Sequence, residues 1–156
     1  QYAAMGVERV EMAAVDVGRY AWPRQGYDFD DDGDRKKVAD AIRDEVKRAG
    51  GGVKVDGKMR AWELASIEVN GRKIGKDVLL DDDRFPEGFL MSKSMRDDSE
   101  GRRVGDAYFA AKRSTRKAAQ DGGATGRLNQ HELAMAELES VESEMDEVIK
   151  KIIAKR

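Results

Sequence analysis

The feature that most constrains this chain is an apolar stripe near its end. Ala134, Leu138, Val141, Met145, Val148 and Ile152 follow one another at steps of four and three, which puts their side chains on one face of an α-helix. The residues between them are mostly charged. The spacing predicts one long helix over residues 129–155. Asn129, with Glu132 three residues on, has the pattern of a capping box. Acidic residues fill the front and middle, and Lys150, Lys151, Lys155 and Arg156 close the end, an order that suits the helix dipole. At about 1.5 Å per residue such a helix is roughly 40 Å long, the length of a bundle or coiled-coil partner. Its stripe needs a surface to lie against.

That surface is expected within a single domain, 1–156, because 156 residues bury one core and not two. Charged residues make up 38 % of the chain and aromatics 6 %, so a thin core of Val, Ile, Leu, Met and Ala is expected. The 29 Lys and Arg nearly balance the 31 Asp and Glu, for a formal charge of −2. This argues against a field built to hold nucleic acid or an anionic membrane. With no cysteine, disulfides, thiolate metal sites and cysteine nucleophiles are excluded. No apolar run approaches the roughly 20 residues that cross a bilayer, so a soluble chain is expected.

Ala3, Val7, Val10, Ala14, Val17 and Ala21 again step by four and three, which predicts a helix over 2–21, ended by Pro23 because Trp22 is pushed out of the α region. Residues 22–34 read as an acidic loop. Asp34 or Asp32 then caps a helix over 35–49, whose inner face is Val38 or Ala39, Ile42, Val46 and Ala49 and whose stop is Gly50 in the left-handed C′ position. Asp56-Gly57 and Asn70-Gly71 each read as the turn of a tight hairpin. The second hairpin opposes Val69 to Arg72 and Ile67 to Ile74. Residues 59–69 also fit a short helix, and strand is preferred. Val78-Leu79-Leu80 reads as a further strand, 81–88 as a turn, and Ser92 to Arg103 as a mobile loop inside a hairpin-and-loop region 53–103. Asp106 caps a helix over 107–120, which joins the last helix as an αα-hairpin over 106–155.

Five features invite a functional reading. Asp28, Asp30, Asp32 and Asp34 begin like a calcium loop of the EF-hand kind, with Gly33 at its sixth position. The pattern then departs: Ala39 stands where the closing glutamate belongs, and Lys36 and Lys37 add positive charge. An acidic helix cap is the competing reading. Lys112, Arg113, Arg116 and Lys117 form a basic face, which the hairpin would set against Glu132 and Glu137. Gly123-Ala124-Thr125-Gly126 has the Gly-x-x-Gly form of an RNA backbone clamp without the apolar frame of one. His131 lacks the partners of a zinc helix or a catalytic base. Trp22, Tyr27, Phe85 and Phe89, at turns and element ends, are the candidate partner contacts, because aromatics dominate binding hot spots.

The expected fold is α+β and helix-dominant: four helices, including the long C-terminal one, with a small antiparallel hairpin sheet in the middle. An all-α four-helix bundle with an irregular insert is the alternative. The expected function is that of a non-enzymatic protein-interaction or accessory or structural subunit of a larger assembly, docking on other protein subunits through its loops, 22–34 and 81–103, and its amphipathic helices. The alternatives are a calcium-responsive module using 28–34 and a weak RNA-binding module using 123–126 and 112–117. No cofactor other than calcium is implied, and nucleic acid is disfavoured as a partner.

Overall fold

The computed structural model describes residues 5–96, 98–121, 146, 147, 149–151 and 154, with the backbone alone over 115–121. The segment Phe89–Ser94 turns Phe89, Met91 and Lys93 inward and leaves Leu90 exposed, the period of two expected of a strand with one buried face. As β3 (Phe89–Ser94) it is the middle strand of a three-stranded antiparallel sheet between β1 (Arg9–Ala14) and β2 (Asp28–Phe29). Arg9 lies opposite Ser94 and Ala14 opposite Phe89, while Asp28 lies opposite Ser92 and Phe29 opposite Met91. Val10, Met12 and Ala14 therefore share the inner face with Lys93, Met91 and Phe89, and Arg9, Glu11 and Ala13 share the outer one.

Helices cover the inner face. The longest in the core is α2 (Asp32–Arg48), with Val38, Ala39, Ile42 and Val46 buried at the spacing that makes one apolar face. It packs with α3 (Ala61–Ala65) and α4 (Ile74–Leu79), which bury Leu64, Ile74, Val78 and Leu79. Each such side chain stabilises the fold by about 1.5–3 kcal/mol through area removed from water. Phe89 sits at the centre of an aromatic trio, edge-on to Phe29 at 5.2 Å and tilted against Phe85 at 5.0 Å. Between β1 and β2 lies α1 (Gly18–Arg24), whose buried Arg19 ties it to the Asp82 carboxylate and the Phe85 carbonyl. After β3 comes α5 (Glu100–Asp121). A second small cluster joins it to the chain's end: Trp62, Val104, Ala111 and Ile149 are buried together, and Arg24 Nη1 donates to Asp146 Oδ1 at 2.6 Å.

The mixed helix-and-sheet architecture agrees with the α+β expectation; several of its parts differ. The helix expected over 2–21 is β1 followed by α1, and Asp16, at φ +46°, makes the turn between them. Residues 9–12 also alternate polar and apolar, and pairing with β3 favours that second period. Pro23 lies inside α1, in its last turn, instead of ending it. Helix α2 starts at Asp32 because Asp31, not Asp32 or Asp34, accepts the capping bond, from the Asp34 amide at 2.9 Å. Gly50 has φ +70° as expected of C′.

The first expected hairpin is absent among the described residues. The Met59 amide bonds to the Asp56 carbonyl across a simple turn, and Gly57 is not among the glycines with positive φ. The second is one rung long. Val69 bridges Arg72 across Asn70 at φ +51° and Gly71 at φ +78°, and Ile74 then opens α4 instead of pairing with Ile67. Residues 61–65, within the expected strand 59–69, are helical, as are Ile74 and Val78-Leu79, which open and close α4 instead of lying in strands; the expected mobile loop 92–103 holds the end of β3 and the first turn of α5. That helix begins six residues before Asp106. The stripe residues 134, 138, 141, 145, 148 and 152 and the αα-hairpin lie outside the described residues; residues 146, 147 and 149–151 are helical.

Glu45 on α2 accepts from Arg84 Nη2 and Arg48 Nη1, each at 2.6 Å, which ties the 81–88 turn to the helix. The hydrogen bond from Arg84 holds its carboxyl below the usual value of 4.5. The stabilisation is therefore complete above pH 4.5 and is lost as pH falls through the lowered value. Glu45→Gln is expected to cost about 1 kcal/mol at pH 7. In urea unfolding followed across pH, the difference from the parent should vanish in acid.

Candidate functional site

Strand β2 is only two residues long, so β3 runs past it, and a polar cleft of about 350 Å³ opens beside Ser92, Lys93 and Ser94. Two glycines close its floor. A Cβ on Gly26, itself at φ +86°, would lie 1.8 Å from the Gly101 carbonyl oxygen, and one on Gly101 would lie 2.5 Å from that of Gly26. Only a bare backbone lets the loop after α1 touch the first turn of α5.

Asp28 is the hub of the cleft. Its Oδ1 accepts from the amides of Phe29 at 3.0 Å and Ala61 at 2.9 Å, so it serves as a cap for α3 from a distant strand. Its Oδ2 accepts from Arg60 Nη1 at 2.9 Å and Arg35 Nη2 at 3.3 Å. Asp30 Oδ1 accepts from Arg9 Nη2 at 2.6 Å and from the Ser92 hydroxyl. The three arginines of the cleft are thus each matched by an internal carboxylate, which makes them structural ion pairs and not an empty anion cradle. Among the described residues Arg35 Nε and Trp62 Nε1 are buried without a hydrogen-bond partner, a cost of closing the cleft.

The aspartates of the expected calcium loop fall on different elements, each with its own partner. Asp28 belongs to β2, Asp32 pairs with Arg35, Asp34 Oδ1 accepts from Lys37 Nζ at 3.0 Å, and Asp30 turns to Arg9. Two of the four lie in α2, whose helical geometry spreads them around its first turn. Among the described residues no three carboxylate or imidazole groups gather as metal ligands.

The aromatic candidates are placed otherwise than expected. Phe89 is buried in the core. Trp22 and Tyr27, edge-to-face at 5.6 Å, and Phe85 are partly buried against that core. Lys112 and Arg113 are exposed on α5; the side chains of Arg116 and Lys117, residues 123–126 and His131 lie outside the described residues.

Lys93 was not singled out in the sequence, where it reads as one charge in a polar stretch. It is 7 % exposed, its Nζ donates to the Gln25 carbonyl at 2.7 Å and stands 5.8 Å from the centre of the Tyr27 ring. Burial pushes its pKa down.

The other outward-looking feature is the edge of β1. The Met95 amide bonds to the Glu8 carbonyl, and in an antiparallel ladder hydrogen-bonded pairs alternate. Residues 8, 10, 12 and 14 therefore aim their amides and carbonyls at β3, and Arg9, Glu11 and Ala13 aim theirs away from it. Among the described residues nothing pairs with that outer side. The alternation of Arg9 to Met12 was the sequence signal for this strand, and the helical spacing of Val7, Val10, Ala14 and Val17 masked it.

Asp28→Ala is expected to destabilise by about 1–3 kcal/mol, because it strands the Ala61 amide and removes one partner each from Arg35 and Arg60; urea titration measures it. For Lys93 the sign is opposite. A lowered folded pKa means that the penalty for burying charge is complete below that value and is gone above 10.5. Lys93→Met should melt higher than the parent at pH 7, with the gap narrowing as pH rises towards 10.5. No family model, no curated protein and no solved structure matches this chain.

Proposed function

We propose that the protein is a non-enzymatic interaction module, an accessory or structural subunit of a larger protein assembly, and that it docks through the edge and outer face of β1. The observation that carries this reading is the outer side of Arg9, Glu11 and Ala13, unpaired among the described residues, beside exposed apolar side chains: Val15 is 49 % and Leu90 64 % exposed. Leu90 stands opposite Ala13, and Val15 follows β1 directly. An open strand edge is a template for one more strand. Main-chain hydrogen bonds supply affinity there, and the flanking side chains supply selectivity. Charges on the edge keep it from indiscriminate pairing.

This places docking on β1 and not in loops 22–34 and 81–103, whose aromatics face the core. The test is site-specific photocross-linking in the source cell, with the reactive group at Ala13 or at Asp44 on the exposed side of α2. A discrete protein adduct is expected from position 13 alone, and Ala13→Pro should abolish docking without unfolding the chain, because the amide it removes points away from β3. Equal adducts from both positions, or none from either, would refute the reading.

A further inference from the structure

We infer that the edge of β1 pairs with β1 of a second copy of this chain, antiparallel, about a two-fold axis through Val10. The inference rests on the reading of β1 as the docking edge and adds its occupant and register.

Two identical antiparallel edges are self-complementary about a two-fold axis, and the axis must pass through one residue of β1 if the sheet is to continue with its faces unchanged. Charge decides which residue. An axis through Arg9 opposes Arg9 to Arg9 of the partner subunit, and an axis through Glu11 opposes Glu11 to Glu11 of the partner subunit. An axis through Met12 leaves both charges opposite apolar residues. Through Val10, however, Arg9 faces Glu11 of the partner subunit and Glu11 faces Arg9 of the partner subunit, so two opposite-charge pairs form at once. These are also the residues whose amides and carbonyls point outward, so each pair is a hydrogen-bonded one. Ala13 then faces Val7 of the partner subunit. Arg9 is already held on the outer face, its Nε 2.9 Å from Glu11 and its Nη2 2.6 Å from Asp30, so little side-chain freedom remains to be lost on pairing. The product is one continuous sheet in the order β2-β3-β1, then β1-β3-β2 of the second copy.

Sedimentation of the full chain from micromolar to millimolar concentration is expected to show a monomer–dimer equilibrium. Arg9→Glu and Glu11→Arg alone each turn both pairs repulsive and should raise the dissociation constant about tenfold or more. An equimolar mixture of the two should dimerise again, since every Arg then meets a Glu. Thermal melts of each variant show whether it is folded; if one is not, Ala13→Pro probes the same ladder without a charge change. The register has its own readout, because the chain contains no cysteine. Val10→Cys brings two thiols together at a non-hydrogen-bonded pair, where Cα atoms lie about 4.5 Å apart, within disulfide range. It should oxidise to a covalent dimer, whereas Met12→Cys should not. A parent chain that stays monomeric throughout, or a mixture that fails to recover dimer, overturns the inference. If the chain is monomeric yet still cross-links from position 13 to another protein, self-pairing fails and the docking edge stands; if neither occurs, both fail.

Discussion

The Asp28 carboxylate holds together pieces of chain that have no local reason to meet. It lies on the shortest strand, yet it accepts hydrogen bonds from its own neighbour Phe29, from the first amide of α3, and from guanidinium groups on α2 and on the residue before α3. A two-residue strand contributes few ladder bonds. Its place beside β3 is secured by this one side chain and by Phe29, packed edge-on against Phe89. Through β2 the sheet is fixed to α2 and α3, and through β3 to β1. The ion pairs of the cleft thus have a mechanical explanation, since they bind elements together.

The same contacts distribute the acidic run 28–34. Its carboxylates are close in sequence but divide among a strand, a cap and a helical turn, and each faces its own donor: amides for Asp28 and Asp31, Arg9 for Asp30, Arg35 for Asp32, Lys37 for Asp34. Metal ligation needs oxygens that converge on one point. Convergence is a property of backbone path, and the path here is set by β3, more than sixty residues further on.

How much could be read in advance follows from the same distinction. Helix α2 was legible because its determinants are local: an acidic cap, an apolar face at 38, 39, 42 and 46, and Gly50 to stop it. The Asn70-Gly71 turn was legible for the same reason. Strand β1 was not, because Val10, Met12 and Ala14 satisfy a period of two while Val7, Val10, Ala14 and Val17 satisfy one near 3.6. The tie is broken by a partner strand about eighty residues away, and the outer edge that now carries the proposed function was hidden with it. Strand β3 was hidden by Lys93, a charge at a position that the fold buries. The packing of Trp22, Tyr27, Phe85 and Phe89 against the core was hidden for a related reason: position near a turn does not reveal which side of the sheet a ring faces.

The contact between Gly26 and Gly101 has a consequence for everything downstream of it. Helix α5 is 22 residues long, about 33 Å at 1.5 Å per residue, and its first turn is seated on that contact. A tilt of about ten degrees at the base would swing Asp121 sideways by roughly 6 Å over that length. Two missing methyl groups therefore act as the bearing of a long lever, and the direction in which the chain leaves the sheet is set where no side chain is present at all.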